Sequence, residues 1–172
     1  MKKIILITSL FLIYTFRALP NELKLSEEIS GLRSPWSISF INESKALVTE
    51  KSGNLILVDF ISKKIKKIEH NLNVLEDGQG GLLEVLYYDN QIFISYSENL
   101  KKGNSSTSVA VAKFNENSLN FKNIFRAEPP INSGYHFGSR LEIKDNLLYV
   151  TVGERGKGMI AQDPTKHPGS II

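Results

Sequence analysis

The chain has 172 residues, no Cys and a formal charge of +3, which sets the scale at one modest domain and excludes a disulfide framework, so stability has to come from an ordinary apolar core. Lys2, Lys3 and Arg17 are the charged residues of the first nineteen, and without them basic and acidic residues balance. A neutral remainder takes away the main compositional support for nucleic-acid binding.

Residues 1–19 open with Met1-Lys2-Lys3, continue as an apolar run over 4–16 and end at Arg17-Ala18-Leu19 before Pro20. That is the anatomy of a secretory signal peptide, too short for a comfortable membrane span. A cut after Ala18 would place Phe16 at the −3 position, so an uncleaved N-terminal anchor, with membrane association through the leader alone, stays open beside it. Either way the expected location is periplasmic or secreted.

Residues 21–30 read as a lead-in strand or loop. Short β-rich runs follow at 36–41, 46–50, 55–60 and 64–69, parted by Asn42-Glu43-Ser44 and Ser52-Gly53-Asn54, and their alternation of apolar and polar residues predicts four strands. Lys63, Lys64, Lys66 and Lys67 surround Ile65 as edge protection on an outer strand. A second set of four is predicted at 82–88, 92–97, 108–114 and 121–126, with a loop at Gly103-Asn104-Ser105-Ser106, and a third set begins at 137–143 and 147–152. Each second strand closes on an acidic residue, at Glu50, Glu98 and Glu154. Four-stranded repeats every 40–50 residues or so are the mark of β-propeller blades. The expected fold is therefore all-β, a partial propeller of two and a half to three blades over residues 20–172. Gly169-Ser170-Ile171-Ile172 looks like the start of a further strand, so a domain that continues beyond it, with an exposed blade face here, is expected.

The richest chemistry lies in Ser133-Gly134-Tyr135-His136-Phe137-Gly138-Ser139-Arg140-Leu141 and in the strand that ends Gly153-Glu154-Arg155-Gly156. A hairpin through Lys144-Asp145-Asn146 sets the start of the first strand beside the end of the second, so that His136 and Glu154 can meet. A histidine with a carboxylate in reach is the minimum equipment of a general base whose tautomer is held. The plain alternative is a hydrogen-bonded structural histidine, and for Gln79, in its Gly-rich turn, simple loop chemistry.

The motifs Leu32-Arg33-Ser34-Pro35-Trp36-Ser37-Ile38, Asp77-Gly78-Gln79-Gly80-Gly81-Leu82-Leu83, His136-Phe137-Gly138-Ser139-Arg140-Leu141, Gly153-Glu154-Arg155-Gly156, and Ala161-Gln162-Asp163 with His167-Pro168-Gly169 occur in that order. In these the chain resembles the glucose/sorbosone dehydrogenase family, in its soluble aldose sugar dehydrogenase branch, over about the N-terminal half of the family's domain. The resemblance implies an exported six-bladed propeller that carries pyrroloquinoline quinone (PQQ) with calcium and oxidises aldose sugars. By it His136 is the general base, Glu154 its orienting partner where the family often has Asp, and Gln79 a cofactor contact. Arg140 is a candidate cofactor contact, although a tie to a neighbouring carboxylate is the favoured role for an Arg inside a strand. Calcium ligands and the remaining cofactor contacts are expected beyond residue 172, and no metal ligand is assigned within the chain. A chain of this length is not expected to turn over by itself.

Other residues invite plainer readings. Arg155 pairs with Asp163 or contacts an anionic ligand, Trp36 fills a blade core or wedges between blades, His70 lies in a surface loop, and His167 fixes a turn. Glu50 and Glu98 are solvated or bond to loops. The three histidines lack metal-ligand spacing. The rival functional reading is a non-catalytic propeller that binds through its loops, or an inactive truncated fragment.

Overall fold

The computed structural model describes residues 23–172; the leader expected at 1–19 lies outside them. Strands β1 (Pro35–Phe40), β2 (Lys45–Glu50), β3 (Leu55–Asp59) and β4 (Lys64–His70) form an antiparallel meander. Its first turn is closed by Asn42, whose Oδ1 accepts from the N–H groups of Ser44 and Lys45 at 2.9 Å each, the usual work of Asn at such a place. The second sheet is built from β5 (Leu82–Tyr88), β6 (Gln91–Asn99), β7 (Ser105–Lys113) and, after a two-residue β8 (Ser118–Leu119), β9 (Lys122–Arg126). The third holds β10 (Gly138–Lys144) and β11 (Leu147–Val152). Along β11 runs the segment 169–172, with the Ile172 N–H donating to Val150 O at 2.9 Å and the Val150 N–H donating to Ile172 O at 2.8 Å. The fold is thus the expected all-β one, two blades and much of a third, with no closed ring among the described residues. None of their helices is long and apolar enough to cross a membrane.

The first two blades share one core. Leu47, Leu55, Leu57 and Ile68 from the first pack with Leu82, Val85, Ile92, Ile94 and Phe121 of the second, each fully buried aliphatic side chain contributing about 1.5–3 kcal/mol. Residues 116–121 strap them together. Leu119 and Ser118 pair in parallel with the end of β4, Glu116 takes the Lys45 ammonium at 2.7 Å, and Asn71 exchanges hydrogen bonds with the Phe121 backbone at 2.8 and 3.1 Å.

A hydroxyl relay joins one blade to the next. The first strand of each blade has a β-bulge, and the N–H at the bulge donates to a hydroxyl on the second strand: Ser37 to Thr49 at 3.1 Å, Glu84 to Ser95 at 3.0 Å, Arg140 to Thr151 at 2.9 Å. The hydroxyl then donates forward to the first strand of the following blade, Thr49 to Leu83 O at 2.6 Å and Ser95 to Ser139 O at 2.7 Å. Buried backbone groups freed by a bulge need partners, and one Ser or Thr satisfies two of them.

Several expectations change. The strand register places Glu50 opposite Pro35, Tyr96 opposite Leu82 and Val152 opposite Gly138, so Glu98 and Glu154 occupy equivalent places and Glu50 does not. Glu50 is buried and takes the loop-bonding one of the two expected roles, accepting from Arg33 N at 2.6 Å and Asn54 Nδ2 at 2.8 Å. Glu98 is clasped by Arg126 and Ser108; burial raises its pKa, but these bonds outweigh it and hold the carboxyl below the ordinary range. Ser105 and Ser106, expected in a loop, start β7 and are buried, because their hydroxyls find Ile131 O and Ala127 O. Trp36 neither fills a core nor lies between two described blades; it stands half-exposed on the open face of the first sheet.

His70 is not a loop residue either. It ends β4, where Nε2 donates to Gly53 O at 2.8 Å and Nδ1 accepts from Leu72 N at 3.3 Å. Burial lowers its pKa from the ordinary value, so the folded state binds this proton less readily than the unfolded chain, where the pKa is about 6.5. The stability it protects is complete above about pH 6.5 and erodes as pH falls from there toward the folded value. Urea midpoints measured from pH 7.5 to 5 are expected to fall more steeply for the parent than for His70→Gln; equal slopes would remove His70 from the acid response.

Candidate active site

The β10–β11 hairpin turns on Asp145 and Asn146, both left-handed (φ 53° and 61°), the two-residue turn that suits the twist of paired strands. That fixes the register. His136, just ahead of β10, comes to the same end of the sheet as Glu154, just past β11. Their backbones are held there by Gly153 N to Phe137 O at 3.0 Å and Arg155 N to His136 O at 3.3 Å. Gly138 has φ 71°, and a Cβ on it would lie 2.6 Å from Gly153 N, so the crossing requires glycine.

As expected, His136 Nδ1 and Glu154 Oε1 are hydrogen-bonded. Oε1 also accepts from Gly156 N at 3.1 Å, and the bond from His136, with these backbone N–H groups, holds the Glu154 carboxyl below the ordinary range. An ionised carboxylate can only accept, so Nδ1 carries the proton. In the neutral ring the free lone pair is then on Nε2, and the side chain is about half exposed. The longer Glu arm reaches the ring without difficulty.

Gln79 joins the same place. Its Oε1 accepts from the His136 backbone N–H at 2.8 Å, and its own N–H donates to Gly134 O at 2.7 Å. The amide Nε2 makes no hydrogen bond to the described residues and remains a donor. The Gln79 turn runs close under the histidine loop, since a Cβ on Gly80 would fall 2.9 Å from the Phe137 ring and 2.8 Å from Ser97 Oγ. Lys51 Nζ ties the turn down through Gly78 O at 2.5 Å.

Arg155 is what the sequence reading placed wrongly. It does not pair with Asp163, which bonds Thr165 and, at 2.9 Å, Lys166, and is held at about 2 by them. Arg155 is buried instead, 2% exposed. Its guanidinium lies 3.6 Å over the Phe137 ring and donates to Tyr135 O at 3.0 Å, Ser105 O at 3.2 Å, Ser105 Oγ at 2.8 Å and Ser133 O. Five N–H donors in a planar fork suit such a cage of carbonyls. Burial pushes its pKa down to about 10, with Asp77 pulling the other way, so it is charged at neutral pH. Its flanking glycines were the available signal; the carbonyls that cage it lie as far away as Ser105.

Arg140 binds Glu84 of the preceding blade at 2.5 Å, the structural tie favoured from the sequence, and its guanidinium makes no hydrogen bond to His136, Glu154 or Gln79. His167, expected to fix a turn, instead ties two distant segments: its Nδ1 accepts from Glu128 N at 2.8 Å and its own N–H donates to Glu128 O at 2.9 Å. Among the described residues no three His, Cys, Asp or Glu side chains converge to hold a metal ion. A quinone fits better, because an exposed imidazole and an unused amide donor stand on one mouth.

The geometry can be set beside known proteins. A family model for Glucose / Sorbosone dehydrogenase matches residues 32–172. Aldose sugar dehydrogenase YliI of Escherichia coli (strain K12) is 28% identical over 151 residues, which is 82% of this chain and 41% of that protein. A crystal structure of glucose dehydrogenase superposes with a TM-score of 0.82 at 31% identity over 87% of this chain and 46% of that one. The PQQ-bound form of aldose sugar dehydrogenase from Streptomyces coelicolor, at 21% identity, shares the fold with a TM-score of 0.75, over 86% of this chain and 46% of its own. The chain therefore spans less than half the length of these relatives. With a match that covers everything from Leu32 onward, and with the motifs at 77–83, 136–141 and 153–156 folded around one strand mouth, the chain belongs to the glucose/sorbosone dehydrogenase family.

Proposed function

We propose that these residues supply the base and a cofactor contact of a PQQ-dependent oxidation of aldose sugars at the anomeric carbon, in an exported protein. The observation that carries the reading is the His136–Glu154 pair, held at the strand mouth by a backbone that Gln79 grips. Bound PQQ would supply the two-electron acceptor for the hydride that leaves the sugar. His136 Nε2 takes the proton of the anomeric hydroxyl, and the Nδ1–H bond to Glu154 orients the ring and favours the imidazolium that results. Gln79 Nε2 is placed to donate to a carbonyl or carboxylate oxygen of the cofactor. Arg140 would reach an anionic group only by releasing Glu84, which makes Gln79 the stronger contact. Calcium, which the family resemblance also implies, would draw its ligands from outside the described residues, and the leader at 1–19 supports a periplasmic or secreted location.

The test is reduction of an electron-accepting dye by protein expressed from the complete reading frame and supplied with PQQ and calcium, across several aldoses and a non-reducing sugar. Reduction is expected only with sugars that have a free anomeric hydroxyl. Protein whose visible spectrum shows bound PQQ, yet which reduces no dye with any aldose, would overturn the reading.

A further inference from the structure

One opposed pair of hydroxyls in the second blade reaches both halves of the mouth. Ser97 of β6 and Thr107 of β7 stand directly across from each other, so their side chains leave the same face of the sheet, and both are buried. The Ser97 hydroxyl donates to Leu75 O and, at 3.3 Å, to Gly81 O, on the two sides of the turn that carries Gln79. The Thr107 hydroxyl donates at 2.7 Å to Phe137 O, the carbonyl of the residue that follows His136. Phe137 O also accepts from Gly153 N at 3.0 Å, so Thr107 adds a second bond where the backbone supplies one. The extra bond falls on a strained arc, since His136, Gly138 and Ser139 have φ of 47°, 71° and 84°. Residues other than glycine persist in that region only where their surroundings over-determine them. The far end of the arc is held in the same way, by Ser95 Oγ on Ser139 O at 2.7 Å.

We propose that Thr107 is a positioning residue for the base: through Phe137 O it fixes the backbone from which the His136 ring is aimed, and so keeps Nδ1 on Glu154 and Nε2 free for the sugar. Its hydroxyl bonds neither the imidazole nor Glu154, and it acts through the main chain alone. Phe137 transmits the hold. Its ring is wedged between the Gly80 turn, where a Cβ would fall 2.9 Å away, and the Arg155 guanidinium 3.6 Å from its centre. With Phe137 fixed at both ring and carbonyl, the residue before it keeps little freedom beyond its own side-chain torsions. A misplacement of about 1 Å can cost about 100-fold in rate, which is the scale on which one backbone bond beside a base matters. This role rests on the reading of His136 as the base.

The experiment compares Thr107→Val and Thr107→Ser with the parent, in protein expressed from the complete reading frame and loaded with PQQ and calcium. Valine keeps the shape and strand preference of threonine and leaves Phe137 O its bond from Gly153 N, so the fold is expected to hold; circular dichroism checks it, and Thr107→Ala is the second variant if valine is not accommodated. Well below its unfolding midpoint, Thr107→Val is expected to lower kcat for aldose oxidation roughly 10- to 100-fold, with KM and PQQ occupancy close to those of the parent. Thr107→Ser, which keeps the donor, is expected to recover most of the rate. The low-field proton resonance of the Nδ1–H bonded to Glu154 is expected in the parent and in Thr107→Ser, and shifted or broadened away in Thr107→Val. A parental kcat in Thr107→Val, an unchanged resonance, or a Thr107→Ser as slow as the valine variant would each overturn the proposal. A parent that binds PQQ and oxidises no aldose would sink the redox reading by itself; the resonance, compared between the parent and Thr107→Val, would still decide whether Thr107 holds the His136–Glu154 pair.

Discussion

His136→Ala is expected to slow dye-coupled aldose oxidation by roughly 10²–10⁴-fold, the usual contribution of a positioned base, while PQQ occupancy stays close to that of the parent. The second half of this expectation comes from the backbone. Gln79 holds the main-chain N–H of residue 136, not its ring, so truncating the side chain leaves that clasp in place. One complication is conformational: His136 has φ 47°, a region that Ala enters at a cost of about 1–2 kcal/mol and Asn more readily. His136→Asn therefore belongs beside it, since it removes the base with less backbone strain. Both variants should lose turnover alike; undiminished rates in both would take His136 out of the mechanism.

The largest stability effect is expected at Arg155. Arg155→Met keeps the bulk over Phe137 but leaves Tyr135 O and Ser133 O without their donor and takes one of two donors from Ser105 O, and losing a buried charged donor to several acceptors costs about 3–5 kcal/mol. Arg155→Lys retains charge but has no planar fork, and is expected to recover less than half of that loss. Urea unfolding followed by Trp36 fluorescence measures both. A midpoint for Arg155→Met equal to that of the parent would show that the loop carrying His136 is held by something other than this guanidinium.

What could be read in the sequence divides along physical lines. Alternating strands parted by Gly, Asn and Asp turns are local signals, and they located the blades to within a few residues. The meeting of His136 with Glu154 was legible because a two-residue turn leaves little choice of register. Arg155 was not legible, since its partners come from loops distant in sequence and are backbone carbonyls, which no residue type announces. The buried hydroxyls that start β7 were hidden for a related reason: Ser105 and Ser106 read as loop until neighbouring carbonyls are there to receive them. Glu50 was matched with Glu98 because counting along a strand ignores what the bulges and the opposing strand do to the pairing.

The strap formed by residues 116–121 has a mechanical consequence. It rivets the first two sheets into one stiff body, whereas the seam between the second and third sheets is crossed by side chains: Arg140 on Glu84, Arg155 on Ser105 and His167 on Glu128. The reactive mouth straddles that seam, with the glutamine on the stiff side and the imidazole with its carboxylate on the other. A shear along that seam would strain the buried Arg155 bonds to Ser105 together with the grip of Gln79 on residue 136, so the alignment of cofactor and base is guarded by a guanidinium that touches neither.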